Sequence, residues 1–158
     1  MLPPSTRYAG VLAVFRIYVG IFWFIHGFGK LTSGKWTGPS GGFVGDVQDM
    51  LQGSAGPYHD FVSGFVLPHA AVFAQLVCWG ETLTGVALIL GLLTRLGGAG
   101  GVFLALNYAL LSGDLWHING YAGFNAAAIA MSAVNLALPT GLVCGLDALI
   151  AARKRPAA

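Results

Sequence analysis

Charged residues are scarce in this chain of 158 residues. Lys and Arg number 8, Asp and Glu number 6, and together they make up 9% of the sequence, whereas soluble domains carry about 25%. Hydrophobic residues make up 56% and the mean hydropathy is +0.72, which excludes an ordinary soluble enzyme and indicates an integral membrane protein. The basic residues are scattered and the net charge is only +2, so nothing indicates a nucleic-acid-binding surface.

Paired cysteines are also lacking. Cys78 and Cys144 stand alone, with no Cys-x-x-Cys motif, and their expected depths in the membrane differ too much for a disulfide. This excludes membrane thiol oxidoreductases that use paired cysteines. The sequence has no haem-attachment motif, no nucleotide or flavin fingerprint and no iron–sulfur cysteines. Any electrons would therefore come from a separate subunit or a transiently bound donor.

Apolar runs dominate what is present. Four of them are long enough, or nearly so, to cross a bilayer at about 20 residues each. They are residues 8–28, 72–93, 96–111 and 121–142. They predict an all-α membrane protein, a single domain over residues 1–158, folded as a bundle of four transmembrane helices. The first run has no convincing cleavage site before the following loop, so we expect it to remain as a helix.

Basic residues in the short loops predict the orientation of the bundle. Five fall on one side of the four-span arrangement, namely Arg7, Arg95, Arg153, Lys154 and Arg155. Two, Lys30 and Lys35, fall on the other side. Because cytoplasmic loops carry the excess of Lys and Arg, we expect a multi-pass protein of the plasma (inner) membrane with both termini in the cytoplasm.

The long loop of residues 31–71 contains two helical patterns. Apolar residues recur at three- and four-residue spacing in each, first at Phe43, Val44, Val47, Met50 and Leu51, then at Tyr58, Phe61, Val62, Phe65 and Val66. Such spacing is typical of short amphipathic helices. We expect them to lie at the membrane surface and to cover the outer mouth of the bundle. A packed surface loop without a ligand role is the alternative.

Glu81 and Arg16 lie inside apolar runs and are the candidate catalytic residues. A charge at bilayer depth costs about 2.5–3.5 kcal/mol on insertion scales, so it is rarely left unpaired or idle. At about 1.5 Å per residue, Arg16 would lie roughly 12 Å and Glu81 roughly 17 Å above the cytoplasmic helix ends. These depths predict an Arg16–Glu81 ion pair. A pair that only fixes helix register is the alternative.

Further polar residues invite interpretation. On the fourth span, Asn125, Ala128, Ser132 and Asn135 form one polar face, which should point into the bundle or toward a partner because lipid would not accept it. Four histidines lie on or near the outer side, namely His26, His59, His69 and His117. Interfacial hydrogen bonding is the favoured role for them. Ligation of a haem or pigment metal by two facing histidines is the alternative, although no spacing demands a metal site.

Two sequence segments resemble the DoxX/DoxD-like membrane proteins. The first is Arg16-Ile-Tyr-Val-Gly20 followed by Gly27-Phe-Gly-Lys30, and the second is Gly80-Glu81-x3-Gly85-x2-Leu88-x2-Gly91-Leu-Leu-Thr-Arg95. With the long first loop and Gly145-Leu-Asp147, the chain is most similar to the DoxD-like branch. The resemblance implies a four-helix membrane bundle and a small subunit of a quinone-linked oxidoreductase of the thiosulfate:quinone type. It also implies other membrane or redox proteins as partners.

A quinone site is therefore the leading functional hypothesis, between the first and second spans. Glu81 would relay a proton, and Arg16 would donate a hydrogen bond to a quinone carbonyl. The candidate cofactor-binding residues are Trp23, Asn107, Tyr108 and Asn125. The first alternative is a non-catalytic accessory or scaffold subunit that packs against a larger respiratory or photosynthetic membrane complex. A carrier of a small molecule or lipid is the second.

Overall fold

The protein is mostly helical in the part of the chain that the computed structural model describes, residues 6–38, 41–113 and 121–153. The helices are α1 (Thr6–Ser33), α2 (Gly42–Leu51), α3 (Pro57–Phe61), α4 (Ala70–Leu90), α5 (Thr94–Leu111), α6 (Tyr121–Ala137) and α7 (Leu146–Arg153). His117, Lys154 and Arg155, which entered the sequence interpretation, lie outside these residues, as does the side chain of Arg7.

The long helices α1, α4, α5 and α6 pack antiparallel in chain order. In α1, Gly20 lies against Ile89 and Gly27 lies against Thr82, so α4 descends as α1 ascends. A Cβ at Gly20 would lie only 2.7 Å from the backbone nitrogen of Ile89, which shows how closely the two backbones approach. Small residues permit such contact between apolar helices. The glycine-rich start of α5 allows the same close packing against α6, where Gly98 meets the backbone of residues 135 and 136.

The two ends of this bundle differ, and we name them by the short helix at each. The "α2 end" holds the C-terminus of α1 and the N-terminus of α4, while the "α7 end" holds the opposite termini. Helix α1 continues beyond its predicted end at Phe28. Helix α6 stops before its predicted end at Leu142, because Pro139 has no N–H to continue the helical hydrogen-bond ladder and a 3₁₀ turn follows at Thr140–Leu142.

The first loop pattern forms a helix with the predicted buried face. Phe43, Val47 and Leu51 of α2 are buried. The second pattern is not a separate helix, since α3 runs through a π-helical turn (Val62–Val66) and a 3₁₀ turn (Leu67–His69) into α4. Pro68 lies in the 3₁₀ turn, and because proline has no backbone N–H it cannot donate a regular α-helical hydrogen bond there.

Two helical segments in the described chain are long and apolar enough to cross a membrane, judged by length and composition. They are Tyr8–Ser33 and the continuous segment Pro57–Leu90, and the shorter Gly123–Ala137 is also apolar. Large apolar side chains on these helices face outward, among them Val14 at 69% and Leu76 at 61% exposure. Outward apolar faces suit contact with lipid.

The polar face of α6 points into the bundle, as predicted. Ser132 and Asn135 are fully buried, and Ala128 is 3% exposed. The indole N–H of Trp23 donates to Ser132 Oγ at 3.1 Å, and Asn135 Oδ1 accepts from the Thr140 hydroxyl at 3.0 Å. These bonds connect α6 to α1 and to the turn that follows α6.

Candidate functional site

Three side chains form a hydrogen-bonded triad near the α2 end. Lys30 Nζ lies 2.8 Å from Glu81 Oε1 and donates to the Tyr108 hydroxyl at 2.7 Å. That hydroxyl in turn donates to the same Glu81 oxygen at 2.7 Å. The Glu81 side chain is 1% exposed and that of Lys30 is 22% exposed, so the carboxylate is deep and the ammonium lies near the rim.

Helix packing places these residues together. Gly27 of α1 lies directly against Thr82 and the Cβ of Glu81, so the backbones of α1 and α4 approach closely at this level. Lys30 follows about one turn later, and because side chains in a helix lean toward its N-terminus, its ammonium reaches back toward Glu81. Tyr108 lies in the last turn of α5 and closes the triad from the third helix.

The predicted Arg16–Glu81 ion pair is wrong. Fourteen residues, about 21 Å of helix, separate Arg16 from Lys30, the residue that pairs with Glu81. Arg16 is instead near the α7 end, where a Cβ at Gly91 would lie 2.6 Å from its Nη1. The register of α1 against α4 is the physical reason. The first turns of α1 extend past the C-terminus of α4, so Arg16 lies at the level of Gly91, beyond the end of α4.

Arg16 binds the chain that follows α6. Its guanidinium is fully buried and donates to the backbone carbonyls of Thr140 at 2.8 Å, Val143 at 3.0 Å and Cys144 at 3.0 Å. Nearby, Asp147 accepts hydrogen bonds from the backbone N–H groups of residues 93 and 94, at the start of α5. Arg16 and Asp147 therefore connect α1 and α7 to the segments that follow α6 and α4.

A cavity of about 340 Å³ opens beside the triad, and we call it the Glu81 cavity. Its lining combines apolar and polar side chains, namely Phe22, Trp23, His26, Lys30, Trp36, Asp46, Met50, Glu81, Ala105, Tyr108, Ser112, Phe124, Asn125 and Ala128. A second, largely apolar cavity of about 260 Å³ lies next to it, between α2 and α3 on one side and α4 and α5 on the other. The two share Trp36, Asp46, Met50 and Tyr108 as lining residues.

Trp36 covers the Lys30 side of the cavity. The Lys30 ammonium lies 4.2 Å from the centroid of the Trp36 ring, a favourable cation–π geometry. The Trp36 indole N–H donates to Asp46 Oδ2 of α2, which fastens the loop after α1 to this short helix. The first amphipathic helix is predicted to cover the mouth of the bundle. Asp46 and Met50 of this helix, α2, line the cavity.

One polar atom of the triad has no partner. Glu81 Oε2 is buried and accepts no hydrogen bond from any described residue. Buried acceptors without a partner are uncommon and costly in folded proteins. Glu81 lines the cavity, so a ligand there that carries a hydrogen-bond donor could satisfy this oxygen.

The sequence matches the family model described as "TQO small subunit DoxD" over residues 11–156. The chain belongs to the DoxD family. Comparisons with curated proteins and with solved structures gave no match. The family and the outward-facing apolar helices together identify this DoxD-family chain as a membrane protein.

The DoxD-family structure divides the sequence-predicted site residues among three places. Glu81, Tyr108, Trp23 and Asn125 all line the Glu81 cavity. Asn107 lines the apolar cavity instead, where its Oδ1 accepts from the Tyr58 hydroxyl at 2.9 Å. Arg16 lies at the α7 end, as described above.

Sequence reasoning missed Lys30 and Trp36 as site residues in this DoxD-family chain. Lys30 was assigned to the loop after the first span, although it continues the helical stripe of Arg16, Trp23 and Gly27. That stripe was the signal that could have found it. Trp36 carried no such signal, because its place over Lys30 depends on the path of the loop between α1 and α2.

Cysteines and histidines take modest roles in the described part of the DoxD-family chain. Cys78 is buried and Cys144 exposed, and both are free thiols. His26 and His69 each bond through Nδ1 to a backbone carbonyl one turn earlier, at 2.7 and 2.8 Å. No group of three or more potential metal ligands occurs among the described residues.

Proposed function

We propose that this DoxD-family protein is the integral membrane subunit of a quinone-linked oxidoreductase and that the Glu81 cavity binds the ring of the quinone. The observation that carries the proposal is a buried carboxylate with one oxygen held by Lys30 and Tyr108 and the other without a partner. The family description, a small subunit of TQO, supports the same reaction class. It also supports assembly with other subunits.

The cavity suits a quinone in size and chemistry. Its volume of about 340 Å³ lies at the lower end of the roughly 300–1,000 Å³ typical of small-molecule sites. Aromatic side chains of Phe22, Trp36 and Phe124 line it and suit a flat ring. Asn125 contributes an amide that can both donate and accept. The adjoining apolar cavity offers room for a substituent of low polarity.

The residues of the triad have distinct roles in this proposal. A bound quinone supplies the two-electron, two-proton acceptor chemistry. Lys30 and Tyr108 hold Glu81 through Oε1, which leaves Oε2 as the atom that holds or passes a proton at the cavity. The electrons come from a donor protein, since the sequence contains no motif for a haem, flavin or iron–sulfur centre of its own. Arg16 positions the α7 end and takes no part at the ring.

The packing supports a proposal for the arrangement in the membrane. We propose that α1, α4, α5 and α6 all cross the inner membrane and that α2 and α3 lie at its outer surface. Lys30 is a paired residue of α1 rather than a loop charge, which leaves Lys35 as the basic loop residue at the α2 end. Arg95 and Arg153 belong to elements at the α7 end. The excess of basic residues there supports a cytoplasmic location for both termini.

Substitution of Glu81 tests the proposal. Glu81→Gln keeps the size of the side chain but removes its charge and its capacity to pass a proton, so we expect most quinone-coupled turnover per folded molecule to be lost. Asp60→Asn is the matched control, because it makes the same chemical change on a carboxylate that is 81% exposed. Turnover is measured with the donor complex present, after the folded fraction has been equalised by size-exclusion chromatography.

The alternative scaffold role predicts a different result. If the chain only packs against a larger complex, Glu81→Gln lowers yield or stability but leaves turnover per assembled complex near that of Asp60→Asn. Full activity of folded Glu81→Gln protein would therefore contradict the assignment of the quinone site.

A further inference from the structure

We propose that the Glu81 cavity selects the reduced form of its ligand, the hydroxyl-bearing quinol, over the oxidised quinone. This inference rests on the proposed function and adds the redox state that the site favours. Its basis is the distribution of hydrogen-bond donors and acceptors on the cavity wall. Most donors of the lining side chains are engaged within the protein, whereas Glu81 Oε2 is an acceptor without a partner.

The triad engages most of its donors within the protein, and the third N–H of Lys30 has the Trp36 ring as its neighbour. The single hydroxyl hydrogen of Tyr108 is donated to Glu81 Oε1. Of the three N–H groups that a lysine offers, those of Lys30 serve Glu81 and Tyr108, and its ammonium lies against the face of Trp36. The free atom of the triad is Glu81 Oε2, which can only accept.

Three other donors on the wall are also engaged. Trp23 Nε1 donates to Ser132 Oγ, and Trp36 Nε1 donates to Asp46. The Ser112 hydroxyl donates to a backbone carbonyl one turn earlier in α5 at 2.9 Å. Asn125 is the lining residue, among those described, that has a side-chain amide, and this amide can accept as well as donate a hydrogen bond.

His26 adds a second acceptor. Its Nδ1 lies 2.7 Å from the backbone carbonyl oxygen of Phe22, and because a carbonyl only accepts, Nδ1 carries the hydrogen. In the neutral ring the other nitrogen, Nε2, is then an acceptor. His26 lines the cavity together with Glu81, so the wall presents two acceptor groups to a ligand.

These acceptors discriminate between the two redox forms. Quinone oxygens accept hydrogen bonds and cannot donate, so they leave Glu81 Oε2 without a partner, whereas a quinol hydroxyl can donate to it. Oε2 is itself covered, so the ligand reaches it when the carboxylate tilts about χ3, a broad torsion, by an amount small enough to keep Oε1 bonded to Lys30 and Tyr108. Hydrogen bonds to a charged acceptor are about twice as strong as neutral ones, so we expect the quinol to bind roughly tenfold tighter or more.

Such a preference has a redox consequence. A quinone gains two electrons and two protons when it becomes a quinol, and a protein that binds the product more tightly raises the potential of the bound couple. For a two-electron couple each tenfold ratio in affinity corresponds to about 30 mV. The bound quinone would accept electrons from the donor protein more readily than quinone free in the lipid.

Three ligands with the same decyl chain test the inference by calorimetry on the full chain in detergent. They are a benzoquinone, the corresponding hydroquinone and its dimethyl ether, which has the quinol shape but no donor. We expect the hydroquinone to bind at least tenfold tighter than the other two. Glu81→Gln should reduce this ratio to about threefold or less, because the glutamine amide can donate to a carbonyl. Asp60→Asn should preserve the ratio.

The possible failures are distinguishable. Equal affinity of wild-type protein for all three ligands would overturn the redox preference but keep a quinone site. Tighter binding of the benzoquinone would overturn it as well. Absence of binding by all three ligands would overturn the proposed function together with the inference. These comparisons use wild-type protein, so they hold even if Glu81→Gln does not fold.

Discussion

Replacement of Lys30 by methionine should be strongly destabilising, because it strands a buried carboxylate. Lys30→Met keeps the length and the apolar stem but removes the ammonium that bonds to Glu81 and Tyr108. Breaking a fully buried ion pair costs about 3–5 kcal/mol. Since the Lys30 side chain is 22% exposed, we expect the lower end, about 3 kcal/mol.

A double-mutant cycle isolates the interaction. Glu81→Gln removes the charge that Lys30 neutralises, so the pair Lys30→Met and Glu81→Gln should lose less stability than the sum of the single changes. We expect a coupling energy of about 2 kcal/mol, within the range found for contacting residues. The assay is reversible unfolding in mixed detergent micelles, followed by circular dichroism.

Arg16 provides the control cycle. The geometry places Arg16 far from Glu81, and distant sites add within about 0.5 kcal/mol. Arg16→Met with Glu81→Gln should therefore be additive. Additivity of the Lys30 cycle would refute the triad, and coupling in the Arg16 cycle would restore the ion pair first expected from the sequence.

Three more predictions concern packing, the α7 end and topology. Gly27→Ala should destabilise the protein by about 1–3 kcal/mol, as overpacking does. Gly29→Ala should not, because nothing lies within 4 Å of its new Cβ. Thermal unfolding compares the two variants, and equal melting temperatures would argue against the close α1–α4 contact. Arg16→Lys should cost about 1.5–3 kcal/mol, because an ammonium cannot reach all three carbonyls and a bond from a charged donor is lost; unchanged unfolding would contradict this. In intact cells a membrane-impermeant maleimide should label Ala55→Cys but spare the native exposed Cys144, and the reverse pattern would overturn the orientation.

Local patterns in the sequence predicted local structure well. The spacing of Phe43, Val47 and Leu51 predicted α2 and its buried face, because one period of 3.6 residues determines both. The buried polar face at Ser132 and Asn135 followed from the cost of polar groups in lipid. Neither prediction needed knowledge of how one helix lies against another.

The partner of Glu81 depended on information that no single helix carries. The depths of Arg16 and Glu81 were calculated from the helix ends expected from the sequence. These depths placed the two residues at similar heights above the cytoplasmic side of the membrane. The contacts of Gly20 and Gly27 set the actual register, in which α1 extends past α4. This shift brings Lys30 to Glu81. Register between helices is a property of side-chain packing across the interface, so it could not be derived from periodicity.

Photolabelling with an azido-quinone tests the central claim most directly, because it reports where the ring lies. The protein in detergent is irradiated with the analogue, and the modified peptides are located by mass spectrometry. The account predicts adducts on residues that line the Glu81 cavity, such as Met50, Trp36 and Phe124, and their suppression by excess unlabelled quinone. Competable adducts at the α7 end around Leu142, with none in the cavity, would contradict it.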